Sequence, residues 1–178
     1  MKRFALVVFG AGSLAAMSAS AMADTDTFTA TATTQAALTV TCTENLRFGN
    51  IGIEPNNNAA TITVDAVDND TADSNDATVY PASGSGPASC TVANEDGANA
   101  TASLAAAGAS WAAPTLSGVT LTEPGTATLT ATATLSETTG IGDVSGNDVL
   151  YVGGTLSIPA AHTVFSTYSA TLTLTVTD

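Results

Sequence analysis

Apolar and polar side chains alternate with a period of two along much of this chain. Across residues 27–42 the even positions read Phe28, Ala30, Ala32, Thr34, Ala36, Leu38, Val40 and Cys42, while the odd positions are mostly threonine. That period predicts β-strand, because successive side chains of a strand point to opposite faces. Sixteen residues are long for one strand, so the run reads as two strands in series with a joint near Gln35. Similar alternation predicts strands over 61–66, with Ile62, Val64 and Ala66 inward, and over 126–136. The C-terminal run 168–177 places Ala170, Leu172, Leu174 and Val176 on one face and threonines on the other. Shorter candidates are 88–93, 100–104, 115–121, 149–152 and 155–158. No segment joins a helical period to helix caps.

Turn-forming residues separate these runs. Glu54-Pro55-Asn56-Asn57-Asn58 and Glu123-Pro124-Gly125 read as turns, and 68–76 reads as an acidic loop. Segments 81–87 and 140–148, rich in Gly with Ser or Asp, read as breaks. Short alternating strands with frequent turns predict one all-β sandwich domain.

The first residues are of another kind. Met1-Lys2-Arg3 is a positive start, an apolar stretch follows, and Ala21-Met22-Ala23 fits the small-x-small cleavage pattern of a secretory signal peptide. Ala19-Ser20-Ala21 fits it too. The alternative, a retained membrane anchor, is disfavoured because the apolar run falls short of the roughly 20 residues a spanning helix needs. The expected layout is a signal peptide over 1–23 and an exported chain of about 155 residues, enough for one core.

Cleavage changes the charge. The exported chain keeps no lysine, and Arg47 alone stands against sixteen Asp and Glu, which leaves a net charge of −15. Such a chain is not a nucleic-acid binder, since phosphate contacts need Lys and Arg, and it has no attraction for an anionic membrane surface. The 32 threonines favour strands. Their regular alternation with apolar residues weighs against disorder.

Catalytic equipment is sparse. Cys42 and Cys90 in an exported chain predict one disulfide rather than a reactive thiol. His162 is the only histidine and has no free Cys or second His beside which to hold a metal. No nucleophile elbow, zinc motif or nucleotide loop is present, so neither an enzyme nor a cofactor is expected. A calcium candidate is the loop carrying Asp68, Asp70 and Asp73, whose spacing begins like an EF-hand. It lacks the glycine and the final glutamate of that motif, and a solvated loop is the plainer reading.

The stretch Val40-Thr41-Cys42-Thr43-Glu44-Asn45-Leu46-Arg47-Phe48-Gly49-Asn50-Ile51 resembles the start of bacterial pilin-like secreted domains. These include chaperone–usher fimbrial subunits, spore coat protein U-like proteins and a related family of unknown function linked to Mat/Ecp-type fimbrial subunits. Gly154-Thr155-Leu156-Ser157-Ile158-Pro159 and the run 167–177 resemble their last two strands. The resemblance implies an immunoglobulin-like sandwich that lacks a strand and is completed by the N-terminal arm of a neighbour. The arm would be 24–36, with Phe28, Ala30, Ala32, Thr34 and Ala36 as its inserted side chains, and the sandwich would be 37–178. Leu172, Leu174 and Val176 would face the acceptor groove. The implied role is a structural subunit of a surface fimbria, exported through the periplasm. Its implied partners are copies of itself, a periplasmic chaperone and an outer-membrane usher, with no stable membrane insertion. A self-contained secreted coat or adhesive module is the alternative, followed by a calcium- or carbohydrate-binding module.

Overall fold

A computed structural model describes residues 38–94, 100–141 and 146–177. Among them the chain forms strands and no helix. The strands are β1 (Thr39–Glu44), β2 (Arg47–Ile53), β3 (Ala60–Val64), β4 (Asp73–Ser74), β5 (Val79–Gly86), β6 (Ala88–Asn94) and β7 (Ala100–Ala105). Then come β8 (Ser110–Ala112), β9 (Thr115–Thr122), β10 (Thr128–Leu135), β11 (Thr139–Ile141), β12 (Gly146–Ile158) and β13 (Thr173–Thr177).

The expected all-β architecture is what the chain adopts. The larger sheet runs β1-β6-β12-β10-β9-β8, and β3 also pairs with β12 and carries β4 on its outer side. Strand β12 is the spine. Its residues 146–152 pair with β6, 154–158 pair with β3, and 152–157 pair with β10 on the opposite edge. Two smaller antiparallel sheets, β11-β7-β13 and β2-β5, supply the apolar side chains that meet it. The alternation read from the sequence is the burial pattern: Ala60, Ile62 and Val64 in β3, and Leu129, Ala131, Ala133 and Leu135 in β10, are buried. The threonines between them face outward.

Three differences have local causes. Segment 81–87, expected as a break, is mostly strand β5. Pro81 sits beside the bulge at Ala82 in the pairing with β2, and among the described residues β5 has no second ladder partner, a setting in which a strand tolerates proline. The expected strands 149–152 and 155–158 are one strand, because Gly153 and Gly154 continue it. A Cβ on Gly153 would sit 2.4 Å from the Val64 carbonyl oxygen, and one on Gly154 would sit 2.4 Å from that of Thr132. These glycines mark close backbone approach rather than a turn. The C-terminal strand starts at Thr173, and residues 168–172 run beside the sheet with Ser169 alone bridged to Thr122.

Candidate functional site

A groove of about 980 Å³ lies between β2 and the C-terminal segment. Leu46, Phe48, Ile51 and Ile53 form one wall, and Tyr168, Ala170, Leu172 and Leu174 form the other. The floor is the inner face of the large sheet, with Leu129 and Ala131 of β10 and Val152, Leu156 and Ile158 of β12. Floor residues are buried, while wall residues are only half-buried. Among the described residues β2 pairs only with β5, and β13 only with β7. Each wall therefore carries a backbone edge without a described ladder partner.

Local sequence builds the β2 wall. Leu46 and Phe48 lie two apart, as one face of a strand requires, but Ile51 and Ile53 have the opposite parity. All four pack toward the core because the chain changes phase at Gly49, whose φ is +80°. Gly84 stands opposite it in β5, also at positive φ. On the floor, Gly154 occupies an inward position in the row Leu150, Val152, Leu156, Ile158. A Cβ there would lie 3.3 Å from Leu46 Cδ2 and 3.4 Å from Phe48 Cζ, so the glycine makes room for that wall.

Residues 159–172 form a strap along the lower mouth of the groove, held at two points. Asn57, 2% exposed, is the first. Its Nδ2 donates to the carbonyls of Asn58 (2.6 Å) and Pro159 (3.0 Å), and its Oδ1 accepts from the His162 N–H (2.9 Å). Its own carbonyl accepts from the Ala161 N–H at 2.9 Å. A buried amide with these partners satisfies its hydrogen-bonding capacity well. The second point is the β9–β10 turn. Thr122 and Ser169 exchange two backbone hydrogen bonds, of 2.9 and 3.0 Å. The backbone N–H groups of Gly125 and Ala127 hold the Glu123 carboxyl below its usual pKa, and the Ser166 hydroxyl adds to this. Desolvation raises the Tyr168 phenol above its usual value, and the nearby Glu123 charge reinforces the shift. Tyr168 Oη donates to the Val164 carbonyl at 3.1 Å. Between the two points Val164 and Phe165 project outward, Phe165 being 71% exposed. The His162 ring lies 6.3 Å from Phe165 and 6.1 Å from Tyr168, centroid to centroid.

The residues named from the sequence fall out as follows. Leu172 and Leu174 line the groove, whereas Val176 packs against the core without being part of the lining. Phe28, Ala30, Ala32, Thr34 and Ala36 lie outside the described residues. Cys42 and Cys90 face each other in register across β1 and β6 and form the expected disulfide. The three loop aspartates do not converge. Asp70 accepts from the Asp65 N–H, Asp68 interacts with Tyr151, and Asp73 opens β4. No group of three or more His, Cys, Asp or Glu able to hold a metal occurs among the described residues. His162 belongs to the strap. Ile53, Val164 and Phe165 were not singled out from the sequence. The change of parity from 46/48 to 51/53 was the available signal for Ile53; no period marks Val164 and Phe165.

Fold and groove together define an all-β sandwich domain with an apolar trough between two strand edges. The chain belongs to the family described as Domain of unknown function (DUF4402), which matches residues 38–177. No curated protein and no solved structure matches it.

Proposed function

We propose that this chain is a structural subunit of a bacterial surface filament, built by donation of the N-terminal arm 24–36 of one copy into the groove of the next. The observation that carries the reading is the groove itself. One wall is β2, with a backbone edge that has no described ladder partner, the other is the segment leading into β13, and the floor is the apolar face of the large sheet. An added strand makes main-chain hydrogen bonds for affinity and sends alternate side chains into the floor for specificity. The arm has that form, with Phe28, Ala30, Ala32, Thr34 and Ala36 on one face. Burying Phe28 alone contributes about 2 kcal/mol. The domain is then an immunoglobulin-like sandwich short of one strand, as in the pilin-like families it resembles. Arm and groove are different surfaces, so repetition gives an open filament and not a closed ring.

The reading carries with it export through the periplasm, delivery by a chaperone and usher, and display at the cell surface. It assigns no catalysis and no cofactor. Deleting 24–36 from the mature protein and examining the product by electron microscopy and gel filtration tests it. The expected product is a monomer; filaments formed as readily as by the intact mature chain rule the proposal out. A self-contained sandwich, with 24–36 as its own strand, predicts instead a monomer whose Thr29 to Gln35 amides resist exchange without a partner.

A further inference from the structure

We propose that the lower mouth of the groove, Val164 and Phe165 on the strap, is the docking surface for the body of the neighbouring copy, and that it meets Val40 at the root of that copy's arm. The inference rests on the donor-strand reading above and adds a second contact to it. The groove wall from Leu46 to the end of β2 at Ile53 spans seven residue steps, so the groove is about 24 Å long at roughly 3.4 Å per step. The stretch from Phe28 to Ala36 spans eight steps, about 27 Å on the same scale. An arm that fills the groove thus leaves only Ala37 before Leu38, and the donor's body is drawn against one mouth.

The two mouths differ. The upper one is rimmed by Glu44, Asn45 and Arg47, with Glu44 and Arg47 paired to each other at 3.1 Å and both about half exposed. The lower one presents Val164, 39% exposed, and Phe165, 71% exposed. Mature copies carry the same net charge of −15, so contact between their bodies gains nothing from charge and must come from apolar area. Phe165 and Val164 are continuous with the groove lining, which places them where an emerging arm passes. On the donor, Val40 is 36% exposed on the edge strand β1, two residues beyond Leu38, which packs against the core. The strap's anchorage at Asn57 and at Thr122–Ser169 holds Phe165 in place without partners from its own core.

The test uses the mature chain and a synthetic peptide of residues 24–36. Phe165→Asp is expected to leave the melting temperature unchanged and to slow filament growth roughly tenfold, by more than it weakens binding of the peptide to the arm-deleted domain. Val40→Asp is expected to do the same. Phe165→Arg and Val40→Asp combined in one chain are expected to restore growth, because every junction then pairs the two charges. Filament growth by Phe165→Asp at the wild-type rate, or no rescue by the double variant, overturns the contact while leaving the groove reading intact. Failure of the peptide to bind the arm-deleted wild-type domain overturns the groove reading and this contact with it.

Discussion

Gly154 sits where every other inward residue of β12 from Leu150 to Ile158 is Leu, Val or Ile, and the reason is steric. A methyl there meets the Thr132 carbonyl oxygen at 2.4 Å and crowds Leu46 and Phe48. Backbone cannot swing aside as a side chain can, so Gly154→Ala is expected to destabilise the domain by about 2 kcal/mol and to loosen the β2 wall. Urea unfolding reads the first effect and amide exchange of residues 47–53 the second. Asn57 makes a different argument at the same scale. Asn57→Leu keeps the branched shape but leaves the part-buried His162 N–H and Pro159 carbonyl without their Asn57 partner. A fully buried orphan costs about 1–3 kcal/mol and these groups are only part-buried, so this variant is expected to lose about 2 kcal/mol in urea unfolding, more than an exposed substitution such as Val67→Ser.

Among the elements, the edge strand β1 and the strap depend most on a few cross-links. All six residues of β1 are exposed, and among the described residues it has a ladder with β6 alone, which the Cys42–Cys90 bond reinforces. Replacing both cysteines with serine is expected to cost up to about 4 kcal/mol for a loop of 48 residues' separation, with fast amide exchange confined first to residues 39–44. The strap is sensitive to acid. Glu123, held below its usual pKa by the turn N–H groups of Gly125 and Ala127, stabilises the fold above its ordinary value of 4.5. That contribution disappears as the pH falls through its lower folded value. Asp76 behaves likewise below 3.8, through the Thr78 hydroxyl, the Thr78 N–H and the Asn58 amide. Glu123→Gln is therefore expected to melt lower than wild type at pH 6 and to converge with it as the pH falls below the lowered folded value of Glu123, which a melting series from pH 6 downward checks. Strand faces of this kind were legible because period-two alternation survives wherever one face is buried, as in β3 and β10. Strand β5 was not legible, since Pro81 and its Gly and Ser residues carry turn chemistry and only the bulge at Ala82 reconciles them with a ladder. The strap was not legible either, because it is held by Asn57 and Glu123 from distant turns and leaves no period behind. Of the groove, Leu172 and Leu174 could be read from alternation, whereas Ile53 needed the change of parity at Gly49, a backbone event.

For the whole molecule the dominant fact is charge. On the proposed reading a copy without residues 1–23 carries −15 and repels every other copy, and Arg47, bridged to Glu44, offers no counter-charge to a neighbour. The assembly proposed above would proceed against that repulsion, which slows encounter without altering the groove. Salt shortens the reach of these charges from about 30 Å at 0.01 M to about 8 Å at physiological ionic strength. Filament growth by the mature chain is therefore expected to speed up several-fold between ~0.01 M and ~0.15 M salt, and peptide 24–36, which carries only Asp24 and Asp26, is expected to respond far less. Light scattering follows the first and fluorescence of a labelled peptide the second. Association steered by opposite charges has the reverse dependence, so growth that slows with salt would mean that copies meet through a charged surface and not through the trough between β2 and β13.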